Sequence, residues 1–212
     1  MTSSRTRERL IERLREEGIS DVRVLAAMRA VPRHLFVEEA LASRAYEDMP
    51  LPIGHGQTIS QPYIVALMTA ALVAGEPPKR VLEIGTGCGY QTAVLARLVA
   101  EVWSVERIRA LLGRARKTLL ELGIRNVNLR YGDGGEGWAE CAPFDAILVT
   151  AAPEEVPPAL LAQLAPGGRL IVPIGTRGAQ RLMLYRRGES GIESEPMGAV
   201  SFVPFAPGVT AR

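Results

Sequence analysis

The most constraining feature of this 212-residue chain is a glycine-rich stretch between two apolar runs. Residues 81–91 read Val-Leu-Glu-Ile-Gly-Thr-Gly-Cys-Gly-Tyr-Gln, and residues 102–106 read Val-Trp-Ser-Val-Glu. An apolar strand that ends in glycines, a helical pattern and a second strand that ends in an acid are typical of a nucleoside-binding βαβ unit. The sequence therefore predicts an α/β fold that binds an adenosine-containing cofactor.

Each residue type in this stretch has a physical reason. Gly85, Gly87 and Gly89 let the backbone approach a ligand closely, and Glu106 can accept hydrogen bonds from both hydroxyls of a ribose. The glycine spacing is Gly-x-Gly-x-Gly, which differs from the dinucleotide fingerprint that cradles a pyrophosphate. We therefore expect S-adenosylmethionine, which has no phosphate, as the cofactor. The alternative is a glycine-rich turn that holds no ligand.

Composition limits the remaining classes of protein. The formal charge is +2, no long basic run is present and aromatic residues make up 5% of the chain, so we expect no nucleic-acid partner. The two cysteines, Cys88 and Cys141, do not suggest a disulfide framework, which favours a reducing cytoplasm. Residues 1–17 lack the apolar centre of a signal peptide, and no apolar run approaches the roughly 20 residues that span a bilayer. We expect a cytoplasmic protein with no membrane contact.

Residues 1–78 predict a helical extension that carries a substrate loop and belongs to the same domain as the sheet. Helices are expected over residues 5–17 and 20–30, the second capped by Ser20, and residues 48–56 are expected to form a loop. A third helix begins at Pro62. Its core-facing stripe is predicted to contain Ile64, Leu67, Met68, Ala71 and Leu72.

Residues 79–212 predict the α/β core, because strand and helix patterns alternate from residue 80 onward. The predicted strands cover residues 81–84, 101–105, 127–131, 144–150 and 169–174. The predicted helices cover residues 90–98, 108–122 and 158–164, and Pro-Gly-Gly at 166–168 is expected to stop the last one. Two final strands, 181–186 and 200–205, have no helix between them and are expected to form an antiparallel edge hairpin. The expected fold is a Rossmann-like, mostly parallel twisted sheet with helices on both faces.

The carboxyl ends of the first four core strands are expected to converge on one site. They carry the glycine loop, Glu106, the Gly-Asp-Gly segment at 132–134 and the Thr-Ala-Ala segment at 150–152. Asp133 is placed to hydrogen-bond an adenine amino group, with Gly134 leaving room for the ring. The alternative is that Asp133 and Gly134 make only a tight turn.

A second constellation lies at residues 52–62, Pro-Ile-Gly-His-Gly-Gln-Thr-Ile-Ser-Gln-Pro. Thr58 and Ser60 place hydroxyls just before the helix that Pro62 begins. A helix start presents free N–H groups and positive potential, which suit a carboxylate ligand. The alternative for Ser60 is an ordinary helix N-cap. His34 and His55 lie outside the predicted strand-end site and are interpreted as packing or loop residues.

On these motifs the chain resembles the protein-L-isoaspartate (D-aspartate) O-methyltransferase family. The matching segments are Val-Pro-Arg-His-Leu-Phe-Val at 31–37, Leu-Pro-Ile-Gly at 51–54, Gln-Thr-Ile-Ser-Gln-Pro-Tyr at 57–63, the glycine loop, Gly-Asp-Gly at 132–134, Phe-Asp-Ala-Ile at 144–147, Pro-Gly-Gly-Arg-Leu at 166–170 and Pro-Ile-Gly at 173–175. The glycine and Pro-Gly-Gly segments occur in many S-adenosylmethionine enzymes, whereas the segment at 57–63 is specific to this family.

The resemblance implies an S-adenosylmethionine-dependent methyltransferase fold and a set of site residues. Ser60 is implied to be the active-site serine, and residues 57–60 are implied to form a lid over cofactor and substrate. The implied cofactor-binding residues are Gln57, Thr58, Ile59, Gly85, Gly87, Cys88, Glu106, Asp133 and Gly134. Cys88 and Ser201 depart from the family, which usually has Ser and Arg at these positions, and the tail after Phe205 is short.

The resemblance also implies the reaction, methyl transfer to the free α-carboxylate of L-isoaspartyl residues in damaged proteins and peptides. The methyl ester then loses methanol to a succinimide, which starts repair. A carboxylate with a pKa of about 4 is already ionised at neutral pH and needs no general base. Two alternatives are a carboxyl methyltransferase dedicated to one protein or peptide and a non-catalytic binding protein. We expect a monomer without a metal ion.

Overall fold

The computed structural model describes residues 4–210. Before the main sheet the chain forms helices α1 (Ser4–Glu16), α2 (Val22–Ala30) and α3 (Pro62–Leu72), 3₁₀-helices at Arg33–Phe36 and Glu39–Arg44, and an antiparallel hairpin of β1 (Leu51–Gly54) and β2 (Gln57–Ile59). The three helices predicted for this region are confirmed. The loop predicted over residues 48–56 is wrong in part, because four of its residues belong to β1.

The start of α2 differs from the prediction by one residue. The Asp21 side chain accepts hydrogen bonds from the N–H groups of Arg23 and Val24, so Asp21 and not Ser20 is the N-cap. Both residue types can cap a helix. Asp21 does so here because its extended backbone places the carboxylate over the first free N–H groups.

Helix α3 buries a different face from the predicted stripe. Met68 and Leu72 are buried, whereas Ile64, Leu67 and Ala71 are only partly buried. The other buried positions are Pro62, Val65, Ala66 and Thr69. Nearly every position of this helix is apolar, so periodicity could not select the face. The packing partners select it.

The main sheet has seven strands in the order β5-β4-β3-β6-β7-β8-β9. The strands are β3 (Arg80–Ile84), β4 (Glu101–Glu106), β5 (Val127–Tyr131), β6 (Phe144–Val149), β7 (Leu164–Ile174), β8 (Gln180–Gly188) and β9 (Gly191–Val200), and the helices between them are α4 (Tyr90–Leu95), α5 (Arg109–Glu121) and α6 (Pro158–Ala162). Strands β3 to β7 pair in parallel, and β8 and β9 pair antiparallel. The chain runs outward from β3 to β5 and returns to β6. The switch in strand order, where such sheets bind ligands, therefore lies between β3 and β6.

The neighbouring strands β3 and β6 are largely apolar because helices cover both of their faces. Val81 and Leu148 belong to a buried cluster that also contains Leu10 of α1 and Met68 of α3. Leu82 and the alternate residues of β6 belong to a second cluster on the other face, together with Leu160 of α6. The N-terminal helices therefore pack directly on one face of the sheet.

Strand β7 begins before the predicted position. It starts at Leu164, so the Pro-Gly-Gly segment at 166–168 lies inside the strand and the prediction that it stops α6 is wrong. The pairing of β7 with β6 shifts in register between Phe144 and Ala146, which accommodates the irregular start. Gly168 is needed there because a Cβ would overlap the Ala165 carbonyl oxygen.

The antiparallel edge hairpin is confirmed, but its second strand is not the predicted one. Strand β8 pairs with β9, which covers residues 191–200, so the predicted segment 200–205 contributes only Val200 to the hairpin. Most side chains of β9 are exposed, so the strand carries no alternating apolar pattern. The residues that follow Val200 cross back over the sheet, where Pro204 forms an isolated bridge with Ala152.

Candidate functional site

A cavity opens at the carboxyl ends of β3, β4 and β6, and we call it the strand-end cavity. Of the ten residues that the sequence analysis assigned to the site, nine line it: Gln57, Thr58, Ile59, Ser60, Gly85, Gly87, Cys88, Glu106 and Gly134. Asp133 does not line it. The chain topology brings these residues together because parallel strands end at the same edge of the sheet.

The glycines of the first loop are required by local geometry. Gly85 has a φ of 95°, and a Cβ at this position would overlap Thr150 Oγ1. That hydroxyl donates to the carbonyls of Ile84 and Gly85 at 3.0 and 2.8 Å. Gly134 lies against Ile84, whose methyl group would overlap a Cβ. Both positions therefore keep the walls of the strand-end cavity free of side chains.

Glu106 is the acid at the end of β4, and its side chain is held rigidly. One carboxylate oxygen accepts from the Gly87 N–H and the other from the Ile108 N–H, both at 2.8 Å. Each oxygen can accept a further hydrogen bond. Burial raises the pKa of Glu106, and the N–H groups of Gly87, Ile108 and Arg107 oppose that shift. The carboxylate is thus oriented by the backbone with acceptor capacity left for two hydroxyls.

Asp133 makes a turn rather than facing the cavity. One of its oxygens accepts from the Gly135 N–H at 2.8 Å and caps the 3₁₀-turn Gly134–Glu136. The other oxygen accepts from the Gly208 N–H at 2.6 Å. Asp133 therefore makes the tight turn of the alternative interpretation. It also holds the carboxyl-terminal segment against the sheet.

The carboxyl-terminal segment forms a wall that the sequence analysis did not assign. Residues 203–206 line the strand-end cavity, and the ring of Phe205 lies over Gly134 and Gly135. Thr210 is bridged to Ile108, which fixes the end of the segment beside Glu106. The only available signal was the apolar run at 200–205, and that run was interpreted as a strand.

The β1–β2 hairpin covers the strand-end cavity from the other side. The Arg114 guanidinium of α5 donates to the Ile53 carbonyl and holds β1. His55 lies at the hairpin turn with a φ of 55°. His34 Nδ1 lies 2.8 Å from the Tyr46 hydroxyl, and burial lowers its pKa. Neither histidine lines the strand-end cavity.

Ser60 lies at the mouth of this cavity and is not a helix cap. The N-cap of α3 is Gln61, without a side-chain cap of its own. Asp48 accepts from the Tyr63 N–H at 2.8 Å and from the Gln61 side chain at 2.6 Å, and so it serves the start of the helix. Within residues 4–210 the Ser60 hydroxyl has no hydrogen-bond partner. The N-cap interpretation of Ser60 is therefore wrong.

A groove adjoins the strand-end cavity, and the two share Thr58, Ser60, Thr150 and Val203. The other residues that line this adjoining groove are Pro50, Gln61, Ile64, Ala199, Val200, Ser201 and Phe202. None of these side chains is charged. An extended peptide that lies in the groove would pass beside the Ser60 hydroxyl. Charged side chains of that peptide would meet only uncharged groups of the groove.

Glu83 is a buried acid beneath the glycine loop that the sequence analysis did not single out. One of its oxygens accepts from the Thr92 and Ser104 hydroxyls at 2.5 and 2.6 Å, and the other has no partner among residues 4–210. Burial raises the pKa of Glu83 to about 8. Ser104 also contacts the Thr86 hydroxyl at 2.6 Å, which links Glu83 to the loop. Burial therefore favours the neutral form of Glu83, which supports the loop from below.

In the described part of the chain, no group of three or more His, Cys, Asp or Glu side chains could hold a metal ion. Among the helices between residues 4 and 210, none is long and apolar enough to cross a bilayer.

Comparison with known proteins places this geometry in one family. Residues 5–210 match the family model described as protein-L-isoaspartate(D-aspartate) O-methyltransferase. The protein-L-isoaspartate O-methyltransferases of Pseudomonas paraeruginosa and Pseudomonas syringae pv. tomato are each 60% identical to this chain over 211 residues, which is 100% of both chains.

Solved structures agree with that result. A structure of a protein-L-isoaspartate O-methyltransferase superposes with a TM-score of 0.86 at 33% identity and covers 96% of this chain and 67% of that one. A putative protein-L-isoaspartate O-methyltransferase from Plasmodium falciparum, in complex with S-adenosyl-L-homocysteine, gives a TM-score of 0.82 at 29% identity, covering 93% of this chain and 96% of that one.

Proposed function

Because the chain belongs to the protein-L-isoaspartate(D-aspartate) O-methyltransferase family, we propose that Ser60 and the strand-end cavity carry out its reaction. The chain is an S-adenosylmethionine-dependent enzyme that methylates L-isoaspartyl residues of proteins and peptides. The methyl ester forms a succinimide and so starts repair. The observation that carries the site assignment is the Ser60 hydroxyl, which lacks a partner among the described residues and lies where the strand-end cavity meets the adjoining groove.

The residues of the strand-end cavity fit an adenosine-containing cofactor. Gly85 and Gly134 leave space that a Cβ would fill, and Glu106 presents an oriented carboxylate with free acceptor capacity. We assign the ribose to Glu106 and the adenine side to Gly134, with Asp133 supporting that wall through Gly208. When bound, S-adenosylmethionine supplies a methyl group on a positively charged sulfur. Gln57, Thr58 and Ile59 close the cavity as a lid, and Cys88 contributes a small side chain to its floor.

The chain's own residues orient the substrate and exclude water. The isoaspartyl α-carboxylate, with a pKa of about 4, is the nucleophile and needs no base. This agrees with two histidines that lie away from the strand-end cavity. Ser60 orients the carboxylate, while the β1–β2 hairpin and residues 203–206 keep water out. Removing water from two opposite charges and aligning them can supply an effective molarity on the order of 10⁵ M.

The adjoining groove supports a general substrate range. It carries no charged side chain, and Ser201 stands where the resemblance leads us to expect Arg, so no flanking charge is demanded of the peptide. A carboxyl methyltransferase dedicated to one partner would instead need complementary features in this groove. Competition between a generic isoaspartyl peptide and candidate proteins separates the two functions.

The experiment that tests the assignment compares two peptides that differ only in one linkage. The enzyme is incubated with labelled S-adenosylmethionine and either an isoaspartyl peptide or its aspartyl twin. The isoaspartyl linkage has an extra methylene in its main chain. The free carboxylate of the aspartyl twin is therefore displaced from the position that the isoaspartyl carboxylate takes. We therefore expect a base-labile ester on the isoaspartyl peptide and little or none on the twin. A base-stable methyl group contradicts carboxyl transfer, and equal rates on both peptides contradict the repair function.

The remaining assignments concern the setting in which the enzyme works. We propose a monomeric cytoplasmic enzyme that engages neither nucleic acid nor membrane, in which residues 1–78 and 79–212 form one domain. The free thiols of Cys88 and Cys141 support a reducing compartment. The formal charge of +2 supports the proposal that no nucleic acid is bound. Sedimentation at working concentration tests the monomer.

A further inference from the structure

Arg33 is a fully buried arginine that lies behind Ser60. Its side chain is 0% exposed. Nε donates to the Ala45 carbonyl and Nη2 donates to the Ser60 carbonyl, both at 2.8 Å. The guanidinium carbon lies 4.9 Å from the centre of the Tyr90 ring. The third nitrogen, Nη1, is buried without a hydrogen-bond partner in the described part of the chain. The side chain is thus fixed by two main-chain carbonyls and one aromatic face.

No carboxylate within residues 4–210 forms an ion pair with this cation, and Asp48 acts on it only through space. Within residues 4–210, no acid lies within ion-pair distance of Arg33, whereas several other arginines, such as Arg130 with Glu140, have one. The nearby acid Asp48 is already bonded to Gln61 and Tyr63. An arginine does not lose its proton in a protein. Burial of an unpaired charge is costly. An anionic ligand that binds beside Ser60 would therefore be attracted by the positive charge of Arg33.

The Ser60–Gln61 peptide group links Arg33 to two residues that line the adjoining groove. The carbonyl of a trans peptide points opposite to its N–H, and the one cis peptide among the described residues lies elsewhere. The Ser60 carbonyl faces Arg33, so the Gln61 N–H faces away from it. This N–H has no acceptor within residues 4–210, and Ser60 and Gln61 both line the groove. A charged donor on the carbonyl polarises the peptide group and strengthens its N–H as a donor.

We propose that Arg33 is a positioning residue that acts through the Ser60–Gln61 peptide group and makes the Gln61 N–H an anchor for the substrate carboxylate. This inference rests on the proposed function of Ser60. The carboxylate then receives one hydrogen bond from the Gln61 N–H and one from the Ser60 hydroxyl. Methylation converts the anion to a neutral ester, so the anchor holds the substrate more tightly than the product.

Removal of the Arg33 charge should act on substrate binding. We expect Arg33→Met to raise KM for an isoaspartyl peptide about 10-fold, because the Ser60–Gln61 peptide group loses the charged donor that polarises it. The kcat should change less than about threefold, and the affinity for S-adenosylhomocysteine, measured by calorimetry, should be unchanged. Arg33→Lys keeps the charge and should restore part of the lost affinity. Arg44→Met, at an exposed ion pair, is the control.

A neutral competitor separates the effect of the substrate charge from that of packing. It is the same peptide with a carboxamide in place of the isoaspartyl α-carboxylate. Its inhibition constant should change much less than KM in Arg33→Met. Equal losses for the charged and the neutral peptide would contradict a role for the charge. A fall in kcat at constant KM, or an equal fall in S-adenosylhomocysteine affinity, would show that Arg33 only maintains the fold.

A second pair of variants tests the anchor if Arg33→Met does not fold. Gln61 has a φ of −49°, close to the value that proline imposes, so Gln61→Pro deletes the N–H with little change in the backbone. Gln61→Ala keeps the N–H and removes only the side-chain bond to Asp48. We expect a KM higher by about 10-fold in Gln61→Pro than in Gln61→Ala. Equal KM values in the two variants would overturn the anchor.

Coupling between the two positions completes the test. If Arg33 acts through this peptide group, Arg33→Lys should raise KM in the Gln61→Ala background and have little effect in the Gln61→Pro background. Additive effects would overturn the relay. Failure of the wild-type enzyme to methylate the isoaspartyl peptide would instead contradict the proposed function itself, so the two failures are distinguishable.

Discussion

The Asp48 carboxylate accepts a 2.8 Å hydrogen bond from the N–H of Tyr63, fifteen residues further along the chain. Asp48 thereby takes the place of a local cap at the start of α3. A serine just before a helix would ordinarily take that role. Because Asp48 takes it here, the Ser60 hydroxyl has no capping role and no hydrogen-bond partner within residues 4–210.

The first prediction concerns the separate roles of Ser60 in turnover and of Asp48 in stability. Ser60→Ala should lower turnover about 10- to 100-fold, the effect of one orienting hydrogen bond. Its free energy of unfolding should not change, because the hydroxyl has no partner in the described structure. Asp48→Ala should cost about 1 kcal/mol of stability through the lost cap. Urea denaturation and steady-state kinetics measure both; a Ser60→Ala variant that is less stable but fully active per folded molecule would contradict the assignment.

The second prediction concerns Glu106. S-adenosylmethionine should raise the melting temperature of the wild-type enzyme, since it binds the native state. Glu106→Ala should lose most of that increase because the ribose hydroxyls lose their acceptor. Glu101→Gln, an exposed acid on the same strand, is the matched control and should keep it. A larger increase with NAD than with S-adenosylmethionine would overturn the cofactor assignment.

The third prediction follows from the pKa of Glu83, which burial raises to about 8 from an ordinary value of 4.5. The folded state keeps the proton that the unfolded state releases between these two pH values. The stabilisation is therefore complete below pH 4.5 and is lost as the pH rises through about 8, at roughly 1 kcal/mol per pH unit. Glu83→Gln mimics the neutral acid and should not show this loss.

Urea denaturation between pH 5 and 8 measures the difference between wild type and Glu83→Gln. We expect the two proteins to converge at the acidic end and the variant to be the more stable one at the alkaline end. Parallel curves would mean that Glu83 is ionised in the folded protein throughout this range.

The fourth prediction concerns Cys88, whose side chain is only partly buried at the strand-end cavity but whose pKa is raised by the loss of water around the thiol. Only the thiolate reacts with alkylating reagents. In a Cys141→Ser background, alkylation at pH 8 should be much slower than that of a free model thiol. S-adenosylhomocysteine should slow it further, because Cys88 lines the strand-end cavity. Mass spectrometry of the labelled peptide measures the rate, and a Cys88 that reacts as fast as the model thiol would contradict the prediction.

Local patterns predicted the elements whose structure depends on near neighbours. The strand β3, its glycine loop and Glu106 could be read from the sequence, since apolar runs and glycines there have a single physical interpretation. The three N-terminal helices were found for the same reason. The fold followed from the alternation of strands and helices after residue 80.

Features that depend on distant contacts were not predictable in this way. The cap supplied by Asp48 and the burial of Arg33 arise from chain segments that meet only in three dimensions. Strand β9 was misplaced because an exposed edge strand has no apolar alternation. The contact of Asp133 with Gly208 joins residues 75 positions apart, and no local rule connects them.

The close approach of Gly85 and Thr150 restricts how this sequence can change over time. Alanine at position 85 would collide with the Thr150 hydroxyl, and it would also have to adopt a φ of 95°. A smaller residue at position 150 would relieve the collision but leave the Ile84 and Gly85 carbonyls without that donor. Neither single replacement is tolerated without loss. The two positions, 65 residues apart and each just past the end of one of two neighbouring strands, are therefore expected to vary together or not at all among functional descendants of this chain.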